Sequence, residues 1–158
     1  HARKGLNVIN INYRLKQGIA IATADLTKAL NYLDANNSDY NLNLENVIVT
    51  GFSAGGHIAT NIGLSQNNSE FPITGVINFS GSVDRNDIIE KIFMDSDIEV
   101  LSELGEAIFP SEGYAVEDVF AVYEPMTYFD KKDPPLFLWQ AGMDDQFLPE
   151  TYDAFIPC

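Results

Sequence analysis

The chain has 158 residues, 46% of them hydrophobic and 20% charged, a size and balance that fit one soluble domain burying a sizeable core and unlike disordered or fibrous chains. Its formal net charge of -14 is carried entirely by residues 84–158, since residues 1–83 hold five basic and five acidic side chains. Such a surface repels phosphate backbones and argues against a nucleic-acid partner, and no stretch approaches the roughly 18 apolar residues of a membrane span.

The first element in chain order is "LNVININ", residues 6–12, which follows a glycine and alternates apolar side chains, so a buried strand is predicted there. From Ile19 to Ala35 apolar residues recur at Leu26, Ala29, Leu30 and Leu33, the spacing of an amphipathic helix, which the polar run "NNSDYNLN" ends. "NVIVTG" is a short β-branched run and reads as a second strand, and the small side chains from Ala54 to Leu64 suit a helix. "ITGVINFSG", residues 73–81, is a third strand closing on turn residues.

Strands alternating with helical patterns imply an α/β fold, with a mainly parallel sheet inside a three-layer α/β/α sandwich. Residues 82–125 break the rhythm with many acids and scattered apolar positions such as Ile88, Ile92 and Phe93, suggesting short helices over one end of the sheet. "PPLFLWQAG", residues 134–142, resumes as a strand behind a proline pair that disfavours helix. In it Phe137 and Trp139 are expected in the core. "MDDQFLPE" forms the loop at its carboxyl end, and a helix is expected from Glu150. The expected organisation is a single domain over residues 1–158, within which residues 82–125 are a pocket-shaping excursion.

Gly51-Phe52-Ser53-Ala54-Gly55 matches G-x-S-x-G, the pattern of a sharp strand-to-helix turn that lifts a serine hydroxyl above a sheet edge. The predicted strand before it and helix after it are the context the motif requires. Glycines two positions either side are expected to leave room for the turn. The helix N-terminus points free N–H groups at any oxyanion forming beside Ser53, and the Ala54 N–H is the natural first donor. An acid that orients a histidine should follow in chain order, and the loop after "PPLFLWQAG" offers Asp144 and Asp145.

The base is the difficulty, because the chain contains only His1 and His57. His57 lies one helical turn beyond Ser53, so its ring is expected to pack against the helix flank, and His1 occupies a chain end. No phosphate loop and no Cys/His metal cluster is present, so no cofactor or metal is expected. "DSDIE", residues 95–99, spaces acids loosely like a calcium loop but lacks its glycine, and reads as solvated charge.

Taken together, "KGLNVININYRL", "ADLTKALNYLDAN", "NVIVTGFSAGGHIA" and "YEPMTYFDKKDPPLFLWQAGMDDQFLP" resemble the esterase and lipase branch of the α/β-hydrolase superfamily, near the acetyl-esterase-like and hormone-sensitive-lipase-like carboxylesterases. The resemblance implies that Ser53 is the nucleophile and the Ala54 N–H an oxyanion donor. It favours Asp145 as the acid, because Gly142, Asp145 and Pro149 match the family's spacing and Asp144 does not. It implies a small-molecule ester as substrate.

Two parts of the family pattern have no match in the chain: the His-Gly-Gly oxyanion loop and the histidine that follows the acid. The chain therefore reads as an internal piece of a longer serine esterase, itself nearly inactive, since loss of triad members costs about 10⁴ to 10⁶ in rate. Two other readings stand beside it. One is a serine peptidase of the prolyl-oligopeptidase type, which shares the elbow and the acid. The other is a noncatalytic α/β-hydrolase-like binding protein, which needs no base.

Overall fold

A computed structural model describes residues 2–15, 17–42, 44–65, 72–84, 125 and 129–141. The expected loop acids Asp144 and Asp145, the helix from Glu150, His1 and nearly all of the 82–125 excursion lie outside the described residues.

After a 3-10 turn at Ala2–Lys4 come helix α1 (Ile19–Ala35), the one-turn helix α2 (Asn37–Tyr40), strand β1 (Val47–Phe52), helix α3 (Ala54–Leu64), strand β2 (Ile73–Phe79) and strand β3 (Leu136–Trp139). The strands form a parallel sheet in the order β1-β2-β3. Helix α1 starts and stops where its periodicity predicts. Its end is not a simple loop, because the polar run folds into α2, with the Asn36 amide donating back to the Tyr32 carbonyl oxygen at 2.7 Å.

Strand alternation decides what the sheet buries. Val49 on β1 and Val76 on β2 face the helices and pack with Leu30 of α1 and with Ala59 and Ile62 of α3. Removing each such branched side chain from water contributes roughly 1.5–3 kcal/mol. Leu64 and Val83 form a second buried pair against Leu136 and Leu138 of β3. Gly63 lets α3 lie directly on the sheet, because a Cβ at that position would run into the Val76 side chain.

The alternate residues of each strand face the other way. Phe137 and Trp139 are 57% and 46% exposed, so they are not core residues as their apolar run suggested. Their neighbours Leu136 and Leu138 occupy the helix-covered face, and a period of two leaves Phe137 and Trp139 on the opposite one.

A second correction concerns residues 6–12. They form no strand, and Leu6, Val8 and Ile9 are exposed at 57%, 58% and 46%. A strand needs a ladder partner about 5 Å away. Here a cavity of about 550 Å³ opens between Val8, Ile9 and Ile11 on one side and the Val47–Gly51 stretch of β1 on the other. The alternating pattern reports a propensity for extended chain, and the pairing that would make it a strand is not provided by β1.

The extended segment is nevertheless tied to α1. The Arg14 guanidinium meets the Asp25 carboxylate through two nitrogens, at 2.9 Å from Nε to Oδ2 and 2.6 Å from Nη2 to Oδ1, while the Arg14 N–H donates to Oδ2 at 3.1 Å. These side-chain and backbone hydrogen bonds from Arg14 hold the Asp25 carboxyl down at about 2.

Candidate active site

The turn from β1 into α3 is where the sequence pattern and the structure meet. Ser53 follows the last residue of β1 and caps α3, with φ 52 and ψ -121. A serine at positive φ is sterically costly, and such a conformation persists only where neighbours over-determine it. Two backbone hydrogen bonds do so. The Ser53 N–H donates to the Phe79 carbonyl oxygen at 2.8 Å, and the Ser53 carbonyl oxygen accepts the His57 N–H at 3.1 Å. One bond belongs to the neighbouring strand and the other to the first turn of the helix.

Gly51 makes the turn possible, because a Cβ there would collide with the Gly55 carbonyl group. Gly55 does not have the matching role expected of it, since a Cβ at that position would meet nothing within 4 Å. Gly55 lines the cavity beside β1. In the first turn of the helix the tight glycine is the next one, Gly56, whose missing side chain lets α3 approach the Asn78 carboxamide.

Ser53 and Ala54 are both exposed. Ala54 is the first residue of α3, so its N–H is among those for which a helix has no internal acceptor, and it lies at the positive end of the helix dipole. A negatively charged oxygen placed beside Ser53 would meet this polarity. His57 faces the other way. It is 7% exposed, and its Nδ1 lies 2.9 Å from the Ser82 carbonyl oxygen, so Nδ1 carries the proton and donates it there. The ring thereby joins the buried side of α3 to the segment leaving β2.

The carboxyl ends of the three strands are in register. Phe52 pairs with Phe79, and Phe79 with Trp139. The connection continues past the strands, because the Ser80 N–H donates to the Trp139 carbonyl oxygen at 2.8 Å, as the Ser53 N–H does to Phe79. Ser53, Ser80 and Gln140 therefore leave the sheet along one edge. The chain that carries Asp144 and Asp145 departs from the same edge, and those two acids, with Gly142 and Pro149, lie beyond the described residues.

Sequence reasoning did not find Asn78. It is 1% exposed within β2, with a carboxamide engaged by Thr60 and Gly81. The available signal was weak: Asn78 lies two residues from Val76 on the same phase of "ITGVINF" and just ahead of the turn residues.

Comparison with known proteins agrees with this geometry. Among solved structures, the chain is similar to a lipase/esterase from Lactobacillus plantarum, with a TM-score of 0.64 and 16% identity over 91% of this chain and 58% of that one. It is similar to a truncated carbohydrate esterase from gut microbiota, with a TM-score of 0.69 and 18% identity over 92% of this chain and 60% of that one. A bifunctional GH43-CE protein of Bacteroides eggerthii matches with a TM-score of 0.70 and 22% identity over 92% of this chain and 23% of that one. The chain thus spans less than two thirds of the length of each of these structures.

At such identities the likeness is one of fold, and the fold is that of the α/β-hydrolase esterases. No curated protein is similar in sequence to the chain. The BD-FAE family model matches residues 1–153, nearly the whole length, and the chain belongs to that esterase- and lipase-like hydrolase family.

Proposed function

We propose that the chain is the nucleophile-bearing part of a serine carboxylic-ester hydrolase that works through an acyl-serine intermediate. The observation that carries this reading is Ser53 itself: exposed, held at positive φ between a parallel strand and a helix N-terminus, and tethered on both sides by backbone hydrogen bonds. Ser80 shares the positive φ but is buried, whereas Ser53 is exposed at a helix N-terminus.

In this mechanism Ser53 Oγ attacks the ester carbonyl carbon while its proton passes to a histidine other than His1 and His57. The carbonyl oxygen becomes an oxyanion and accepts the Ala54 N–H, aided by the α3 dipole. Asp145 holds the histidine in the productive tautomer and stabilises its imidazolium. The histidine returns the proton to the leaving alcohol, and water then releases the acid from Ser53. His57 takes no part, because its ring is buried against Ser82 while Ser53 is exposed.

The substrate is a small-molecule ester with a short acyl group. An acetyl group on a sugar fits the carbohydrate esterase and the GH43-CE protein among the structural neighbours. Residues 1–158 form one domain in this reading, and residues 82–125 shape the pocket. Turnover of p-nitrophenyl acetate by the full-length protein, wild type against Ser53→Ala, tests it. Equal rates would remove Ser53 from the chemistry.

A further inference from the structure

We propose that Asn78 is a positioning residue for Ser53, an inference that rests on the reading of Ser53 as nucleophile. Its carboxamide is fully engaged below the surface. Oδ1 accepts the Gly81 N–H at 2.7 Å, and Nδ2 donates to the Gly81 carbonyl oxygen at 3.1 Å and to Thr60 Oγ1 at 2.8 Å. Thr60 Oγ1 donates in turn to the Gly56 carbonyl oxygen at 2.8 Å. The orientation of the amide is unambiguous, because one end faces an N–H and the other faces two oxygens. Asn78 and Thr60 are 1% and 0% exposed, so every one of these bonds is shielded from water.

These bonds close a ring around the elbow. Ser53 is bonded through its N–H to Phe79, the residue after Asn78, and through its carbonyl oxygen to His57, the residue after Gly56. The Asn78 side chain joins the same two places from behind, reaching Gly56 by way of Thr60. A Cβ on Gly56 would strike Asn78 Oδ1, and one on Gly81 would come within 2.5 Å of the His57 nitrogen. The first turn of α3 and the exit from β2 are thus joined through this carboxamide beside the His57–Ser82 bond, and the Ala54 N–H belongs to that first turn.

If this link were slack, α3 could shift along β2 and carry the Ala54 N–H away from the place where the oxyanion forms. The substrate ground state makes little use of that donor, so the loss should fall on kcat rather than on KM. Asparagine is required chemically. Leucine has no polar atoms to offer. An aspartate in place of Asn78 would set a carboxylate against the Gly81 carbonyl oxygen and supply no donor to Thr60.

The test measures p-nitrophenyl acetate turnover by the full-length protein, with functional sites counted by exhaustive labelling with a fluorophosphonate. Asn78→Asp and Thr60→Val are each expected to lower kcat per labelled site roughly 10²-fold, the effect of a displacement on the order of 1 Å, with KM within about twofold. Thr60→Ser, which keeps Oγ, is expected to restore most of the turnover. Thr60→Val conserves volume and decides the matter if Asn78→Asp does not fold. Fewer labelled sites that each turn over at the wild-type rate would mean that Asn78 serves folding alone, and would overturn the inference. The nucleophile reading fails separately, through a Ser53→Ala variant as fast as wild type.

Discussion

The Ser53 N–H donates to the Phe79 carbonyl oxygen at 2.8 Å, so the residue that caps α3 is fixed by the neighbouring strand as well as by the first turn of its own helix. The first N–H groups of α3, Ala54 among them, have no acceptor within the helix, and an ester's developing oxyanion would be one.

Ser53→Ala removes the hydroxyl and keeps both backbone tethers. In the full-length protein, ester hydrolysis should fall about 10⁴- to 10⁶-fold. The far-ultraviolet circular dichroism and the melting temperature should stay close to wild type. Steady-state rates and a thermal melt check the two halves of this expectation.

The two glycines of the motif should respond differently. Gly51→Ala forces a Cβ into the Gly55 carbonyl group and should cost about 1–3 kcal/mol of stability together with activity. Gly55→Ala meets open space within a helix and should be neutral or stabilising by up to about 1 kcal/mol. Denaturant unfolding of the pair resolves a difference of that size.

His57→Phe strands the buried Ser82 carbonyl oxygen and should destabilise by about 1–3 kcal/mol. His57→Gln keeps a donor and should recover part of this. Turnover per folded molecule should change only a few-fold in either variant, against about 10⁴ or more for a lost base. A folded His57→Gln protein with activity down by the larger factor would make His57 the base.

Asp25→Asn tests the attachment of the extended segment to α1. The Asp25 carboxyl titrates at about 2, below its ordinary value of 3.8, because Arg14 bonds the charged form. A depressed carboxylate contributes stability that is fully present above the ordinary value and disappears as pH falls through about 2. The wild type should therefore protect residues 6–15 from hydrogen exchange better than Asp25→Asn at pH 5, and the advantage should shrink between pH 4 and pH 2. The Arg14 side chain is half-exposed, so added salt should narrow the gap as well.

The sequence made some of this legible and concealed the rest for physical reasons. Both long helices were readable because their signals are local: the apolar spacing of Leu26, Leu30 and Leu33 in α1, and the small residues after the Gly51–Gly55 turn in α3. The parallel sheet followed from the alternation of elements. The segment "LNVININ" misled because strand formation depends on a partner far along the chain, which periodicity does not report. Trp139 misled because hydrophobicity says that a residue can be buried, whereas the phase of β3 decides whether it is. Asn78 was invisible because its meaning lies in Thr60, 18 residues away, and in the turn at Gly81.

The register that brings Phe52, Phe79 and Trp139 abreast has an optical consequence. Trp139 is the one tryptophan of the 158 residues, and its indole lies 6.1 Å from the Phe79 ring, centroid to centroid. The carbonyl oxygen of that same Phe79 is what holds Ser53. Emission from this one indole is therefore expected to report on the sheet edge from which Ser53 projects. The proposed acylation of Ser53, or slippage of the elbow, should register in that signal without a label.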